Sequence, residues 1–331
     1  MTILITGAAG FIASHVTEYY LMKGHTVVGI DNFDPYYPRE YKSANLRNAL
    51  ASERFHFREL DFLDTDQLAS LFSAFSFDLV IHLGAKAGVR PSIEAAHEYY
   101  KVNVDGTLAI LETMRKHGVR NMVFASSSSV YGNNPKVPFS EADSVDNPIS
   151  PYASTKKSGE LLCHVYTHLH GFNITCLRFF TVYGPRQRPD LAIHKFTIAI
   201  QEGTPIPVYG DGNTARDYTY IDDIVQGITC AAEKLSGYHL YNLGESNVVT
   251  LQEMITVIER VVGRKAVINR LPMQPGDVER TYADISKARK EIGYNPATEF
   301  EAGVRNFVQW LNGFLPEVNS SMQKPETARV F

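Results

Sequence analysis

A phenol and an ammonium stand four residues apart in Tyr152-Ala-Ser-Thr-Lys156. On a helix, that spacing places both groups on one face. A free tyrosine, with a pKa near ~10, is a poor base at neutral pH. A cation within a few ångströms favours the phenolate and draws its pKa towards working pH. An ordinary surface contact between turns has the same spacing. The hydroxyls of Ser126 to Ser129 follow an apolar run ending at Ala125. At the carboxyl end of a parallel strand, such groups face the cofactor crevice of an open α/β sheet. Ser127, Ser128, Ser129, Tyr152 and Lys156 are therefore the candidate catalytic set, suited to proton transfer beside hydride transfer.

A hydride needs a carrier, and the first residues supply a place for one. Gly7-Ala8-Ala9-Gly10-Phe11-Ile12-Ala13 lies between an apolar strand and a helical pattern. Gly7 permits the tight turn, and Gly10 lets a pyrophosphate approach the helix N-terminus, where N–H groups and the dipole favour an anion. Ala13 is small enough for the helix to pack on the strand. Asp31, 21 residues past Gly10, ends the second strand. A carboxylate there accepts the ribose hydroxyls of NAD, and no arginine follows directly to hold a 2′-phosphate, so NAD is expected over NADP. A glycine turn in a nucleotide-free α/β protein is the competing account.

Two arginines follow in Thr181-Val-Tyr-Gly-Pro-Arg186-Gln-Arg188-Pro. The planar fork of arginine matches a carboxylate better than a point charge does. Solvated loop residues are the plain alternative for both. Arg90, in Ala87-Gly88-Val89-Arg90-Pro91, follows the fourth strand. Contact with cofactor or substrate, helix capping and structural pairing all fit it.

These groups need a scaffold that brings distant segments together. Ile3–Thr6, Thr26–Ile30, Leu79–Leu83, Met122–Ala125 and Ile174–Phe179 are short apolar runs. They read as parallel strands covered on both faces. Helical patterns lie between them, including 107–116 and 152–168. Alternation of this kind predicts a doubly wound parallel α/β sheet. Prolines after Gly184 break the chain into shorter pieces, which read as a smaller α/β domain with some interleaving. The boundaries are 1–184, 185–315 and a polar, loose tail at 316–331. Thr250-x-x-Glu253 is a capping box. Asp222 and Asp223 read as caps of the following helix.

Composition narrows the field further. Of 331 residues, 44% are apolar and 21% charged, with a net charge of −4. That balance suits a soluble globular chain and argues against nucleic-acid or membrane-surface binding. No apolar run reaches the ~18 residues of a membrane helix. Cys163, Cys176 and Cys230 have neither metal-ligand nor disulfide spacing, and no basic leader opens the chain, so a cytoplasmic protein without a metal is expected.

The motifs together resemble the extended short-chain dehydrogenases/reductases of the NAD-dependent nucleotide-sugar epimerase and dehydratase group. The resemblance covers residues 1 to about 312 through TGAAGFIASH, DNF, SSSSVYG at 126–132, SPYASTKKSGE, LRFFTVYGPRQRPD, VYGDGNTARDYTYIDDI and PGDVERTYADISKA. Ala13 departs from the third glycine usual in that group. The resemblance implies a Rossmann-type domain with a smaller C-terminal substrate domain, NAD tightly bound and recycled, and a UDP-sugar substrate. It also implies a homodimer through the helices containing Thr107 and Tyr152. Cofactor contacts are implied at Phe11, Ile12, Asn32, Asp61, Phe62, Leu83, Ala85, Asn103 and Phe179, beside Gly7, Gly10, Asp31, Tyr152 and Lys156.

Two departures within the group refine the expected activity. Dehydratases of the group carry Asp-Glu before VYG and xylose-forming decarboxylases carry Glu, whereas this chain has Ser128-Ser129. Reversible oxidation at C4 is what remains. Thr181 and Arg188 resemble residues with which UDP-glucuronate 4-epimerases hold the C6 carboxylate, with Arg186 a further cation nearby. The resemblance also places Lys195, Arg216 and Asp277 around UDP, with the Val208–Tyr209 backbone near uracil. The expected reaction is 4-epimerisation of UDP-glucuronate to UDP-galacturonate through a 4-keto intermediate. Epimerisation of UDP-glucose or UDP-N-acetylglucosamine is the main alternative. Decarboxylation or 5-epimerisation of UDP-glucuronate follows, then a non-catalytic NAD-sensing protein.

Overall fold

The computed structural model describes residues 1–272 and 280–322. Its strands are β1 (Thr2–Thr6), β2 (Thr26–Asp31), β3 (Phe55–Glu59), β4 (Leu79–His82), β5 (Asn121–Ser127), β6 (Asn173–Phe179), β7 (Thr181–Tyr183), β8 (Pro205–Tyr209), β9 (Ala215–Tyr220), β10 (Tyr238–Leu243), β11 (Val248–Thr250) and β12 (Val267–Leu271). Its helices are α1 (Phe11–Met22), α2 (Arg39–Leu50), α3 (Thr65–Ala74), α4 (Val89–Glu94), α5 (Ala96–Tyr100), α6 (Gly106–Lys116), α7 (Pro151–His170), α8 (Ala192–Glu202), α9 (Ile221–Glu233), α10 (Leu251–Val262), α11 (Ser286–Ile292) and α12 (Phe300–Met322).

Seven parallel strands form the main sheet in the order β3-β2-β1-β4-β5-β6-β10. The central strands are apolar on both faces because both faces are covered. Ile3 and Ile5 pack with α1, α2 and α9, while Leu4 and Val28 pack with α3, α6 and α7. The chain winds outward in opposite directions from β1 and β4, which opens a crevice beyond their carboxyl ends. The doubly wound α/β sheet expected from the apolar runs is thus present. β3 was not among the runs read from sequence. It is an edge strand, buried only at Phe55 and exposed at Arg58 and Glu59, so it lacks the continuous apolar signature.

The later part of the chain contributes β10 to the main sheet, next to β6. It also forms the small sheets β11-β9-β7 and β12-β8. Helix α10 opens with the expected capping box of Thr250 and Glu253. Asp222 and Asp223 do not cap α9. They lie in its first turn, and Asp223 instead accepts the N–H groups of Ala297 and Thr298 at 3.0 and 3.2 Å, tying down the approach to α12. Of the stretch expected to be a loose tail at 316–331, residues 316–322 continue α12 through Pro316 to Met322, and 323–331 lie outside the described residues. Burial of Val318 and an ion pair from Arg47 to Glu317 hold it. No helix among the described residues is long and apolar enough to cross a membrane.

Candidate active site

The predicted cofactor residues gather at the carboxyl edge of the sheet. Gly7 follows β1 with φ at 68°, a conformation that a side chain resists. A Cβ there would also lie 2.8 Å from the Gly84 Cα. Gly10 begins α1 without any side-chain cap, and a Cβ on it would sit 2.9 Å from the Gly7 carbonyl oxygen. Phe11 and Ile12 form the first turn of that helix. An uncapped helix N-terminus approached by small residues fits a dinucleotide pyrophosphate.

Asp31 ends β2 and is 8% exposed. Its carboxylate accepts N–H bonds from Ala9 at 3.1 Å and Phe33 at 2.8 Å, with Lys42 3.8 Å away. Burial raises its pKa, against the pull of Lys42 and these two N–H groups. Asn32 donates to Asp61 at 3.0 Å, joining the ends of β2 and β3. Leu83 and Ala85 follow β4, and Phe179 ends β6. Phe62 packs edge-on to His82 and against Gly106. Asn103 is held from both ends of its amide. Its Oδ1 accepts from the Lys86 N–H at 2.8 Å, and its Nδ2 donates to the Lys86 carbonyl and the Thr155 hydroxyl at 2.9 and 3.0 Å. It braces the loop after β4 against α7.

The catalytic helix α7 starts where Ser150 accepts the Ala153 N–H at 3.1 Å and Pro151 occupies the first turn. This start sets the Tyr152 phenol near Ser127 at the end of β5. Ser127 also donates to the Ser129 hydroxyl at 3.0 Å, and Ser128 begins the 3-10 turn Ser128–Tyr131. Burial raises the pKa of Tyr152, opposed by the Ser127 hydrogen bond and the charge of Arg188.

Lys156 lies one turn after Tyr152 on α7. Its Nζ donates to the Ala125 carbonyl at 2.8 Å, and burial lowers its pKa to about 8. Arg188 is the charge that acts to lower the Tyr152 pKa against the burial of that phenol. One turn on, Glu160 accepts from Ser126 at 2.6 Å and from Arg178 at 2.8 and 2.9 Å. This buried cluster fixes α7 against β5 and β6. Sequence reading passed over Glu160, although its spacing from Tyr152 and Lys156 puts all three on one stripe.

On the other side of the crevice, Thr181 begins β7 and pairs with Tyr218 of β9. Arg188 donates from Nε and Nη2 to the two carboxylate oxygens of Asp190, both at 2.9 Å, and its guanidinium lies 5.3 Å from the centre of the Tyr36 ring. Arg186 does not join it. With φ at 66°, Arg186 pairs with Glu18 of α1 at 2.6 Å, so its charge is already answered within the fold. Arg90 is exposed on α4, and its guanidinium lies 5.3 Å from the centre of the Tyr209 ring. The two residues therefore meet, although 119 positions separate them in the chain.

The remaining predicted positions spread over the substrate side. Val208 has its side chain in the core, leaving its backbone as the group for a ligand. Lys195 is exposed near the start of α8, and its charge reaches Asp190. Arg216, on β9, donates to the Ala215 carbonyl at 2.9 Å. Asp277 lies outside the described residues. Asp190, Glu18 and Tyr36 were missed from sequence. Only Asp190 had a local signal, two residues after Arg188 in the same loop. No group of three or more His, Cys, Asp or Glu side chains among the described residues could hold a metal.

Residues 4–307 match the GDP-mannose 4,6 dehydratase family. A UDP-glucuronate 4-epimerase of Thermodesulfobacterium geofontis is 44% identical over 309 residues, spanning 93% of this chain and 95% of its own. The crystal structure of UDP-glucuronic acid 4-epimerase from Bacillus cereus, in complex with UDP-glucuronic acid and NAD, has a TM-score of 0.89 at 37% identity, with 95% of this chain and 99% of that one covered. UDP-glucose 4-epimerase from Thermotoga maritima, solved with UDP-glucose, has a TM-score of 0.87 at 31% identity, covering 95% and 100% of the two chains.

Proposed function

This chain belongs to the GDP-mannose 4,6-dehydratase family of extended short-chain dehydrogenases/reductases, and on that premise we propose that it is an NAD-dependent isomerase interconverting UDP-glucuronate and UDP-galacturonate. The observation that carries the substrate assignment is Arg188. It is a guanidinium in the crevice whose charge is felt at the Tyr152 phenol. A sugar with its C4 hydroxyl at Tyr152 carries its C6 group on the adjacent ring carbon, C5, within reach of a cation so placed.

The Gly7–Ile12 turn and Asp31 would hold NAD, which would supply the hydride acceptor and donor for C4. The protein's own groups manage the protons and the geometry. Tyr152 removes the proton of the C4 hydroxyl as that carbon is oxidised and returns it after the keto sugar has turned its other face. Ser127 hydrogen-bonds the reacting oxygen, while Ser128 and Ser129 support it or the carboxylate. Lys156 anchors the nicotinamide ribose from a pocket whose burial already weakens its hold on a proton. Arg90 and Tyr209 line the UDP side, with the Val208 backbone, Lys195 and Arg216. The 4-keto uronate is a β-keto acid and loses CO2 easily. Thr181 and Arg188 oppose that by clamping the carboxylate and stabilising its charge.

A 4-epimerase of neutral UDP-hexoses is the second reading, favoured by the carboxylate that Asp190 already offers Arg188. A homodimer through α6 and α7 is supported by exposed apolar residues: Leu108 on α6, and Leu161, Val165 and Leu169 on one stripe of α7. The cytoplasm is the proposed compartment, in keeping with three free thiols.

Incubation with UDP-glucuronate and NAD, followed by NMR of the products, tests the reading. UDP-galacturonate is expected. A UDP-pentose or UDP-iduronate would assign decarboxylation or 5-epimerisation instead, and turnover of UDP-glucose alone would assign the second reading. Tyr152→Phe should cut turnover by about a thousandfold while NAD stays bound; undiminished epimerisation would remove Tyr152 as the base.

A further inference from the structure

We propose that Asp190 is a specificity-determining positioning residue, which holds Arg188 by one edge so that its other edge meets the carboxylate of the sugar. The inference rests on the UDP-glucuronate reading. A guanidinium offers two edges for bidentate pairing, Nε with Nη2 and Nη1 with Nη2. Asp190 engages the first through two bonds of 2.9 Å. The pair is local, since a single residue, Pro189, separates its members in the chain. The proline also restricts the backbone between them. Two further groups fix the arrangement. Tyr36 donates to Asp190 at 3.4 Å and lies beneath the guanidinium, with its ring centre 5.3 Å away. The charge of Lys195 also acts on Asp190.

This geometry answers a problem of charge. Arg188 is 20% and Asp190 30% exposed at the side chain, so an arginine with no partner there would be costly. Asp190 keeps the cation compensated whether or not a sugar is present. It also removes rotamer freedom that a carboxylate ligand would otherwise have to freeze out. An arginine left to swing would still attract the uronate. It would no longer hold the C5–C6 bond near the plane of the C4 ketone. Once that bond turns perpendicular it can break. Its electron pair then forms the C4–C5 enolate, CO2 departs, and a proton adds at C5 to leave a UDP-4-keto-pentose.

The test compares the wild-type holoenzyme with Asp190→Asn and Asp190→Glu, measuring KM, kcat, UDP affinity and the share of turnovers that release CO2. Asp190→Asn should raise KM for UDP-glucuronate about tenfold and make CO2 release detectable, with UDP affinity unchanged. Asp190→Glu, which retains a carboxylate, should fall between that variant and wild type. A folded Asp190→Asn protein with wild-type KM and no CO2 overturns the assignment. So does a parallel loss of UDP affinity, which would mark Asp190 as general scaffold. A wild-type enzyme that leaves UDP-glucuronate untouched overturns the functional reading itself, and this assignment with it.

Discussion

At the nucleotide end of the crevice the working groups belong to the backbone, fixed by Gly7 at φ 68° and by the uncapped start of α1. At the sugar end they are charged side chains on one loop, with Arg186 answered by Glu18 and Arg188 by Asp190. The first end depends on conformation, which a handful of consecutive residues determines. The second depends on which partner each side chain finds, and those partners come from elsewhere in the fold as well as from the loop. The two ends should therefore fail differently under mutation.

The largest effect is expected at the backbone end. Gly7→Ala forces a methyl-bearing residue into a left-handed conformation and against the Gly84 backbone. Strain and clash together should cost about 3 kcal/mol, roughly a hundredfold in NAD affinity. Calorimetric titration of NAD into the variant measures this directly. Wild-type affinity would break the contrast, because the turn would then tolerate what its geometry excludes.

A smaller effect separates the two arginines. Arg188→Gln should lower kcat/KM for UDP-glucuronate about a hundredfold, while NAD affinity stays within about twofold. Arg186→Gln should lower it only about twofold, and its main consequence should be a lower melting temperature, since it strips Glu18 of its partner. Steady-state kinetics and thermal melts of the two variants side by side decide the matter. Equal kinetic losses would restore Arg186 to the substrate and remove the distinction drawn from its pairing with α1.

How much of this was legible in the sequence follows the same division. The glycine turn, Asp31 and the parallel strands were readable because each depends on local spacing or on burial of a continuous apolar run. Tyr152 and Ser127 were readable because strand ends and helix starts converge on one crevice in this topology. The orientation of Lys156 towards the Ala125 carbonyl was not, since the i,i+4 rule fixes a face and leaves the end of a long side chain undetermined. Nor was the role of Asn103, whose partners Lys86 and Thr155 lie far apart in the chain. Asp223 looked like a helix cap by position, yet a loop 74 residues later took its carboxylate. In each case tertiary contact chose among options that were locally equivalent.

The same contrast says where pH should act, and this is the smallest effect. Two carboxylates lie together, with the Glu245 N–H donating to Asp217 at 2.7 Å. Burial raises Asp217 to about 6, although three backbone N–H groups and Thr219 oppose the shift. Burial, followed by repulsion from Asp223 and Asp217, raises Glu245 to about 8, and its Oε2 is buried with no hydrogen-bond partner among the described residues. An acid whose pKa is higher folded than unfolded favours folding while it is protonated, and that advantage is lost as pH climbs from the unfolded value towards the folded one. For Glu245 the window runs from about 4.5 to about 8. Glu245→Gln copies the protonated form, so it should match wild type in melting temperature near pH 4.5 and exceed it increasingly up to pH ~8. Because Glu245 is only half-buried, solvent screening should hold the gain to about 2 °C. Melts of both proteins at pH ~5 and ~9 measure it. A gap that is constant or closes with rising pH would mean that Glu245 finds a partner in solution, and that the sugar half carries less uncompensated charge than its geometry indicates.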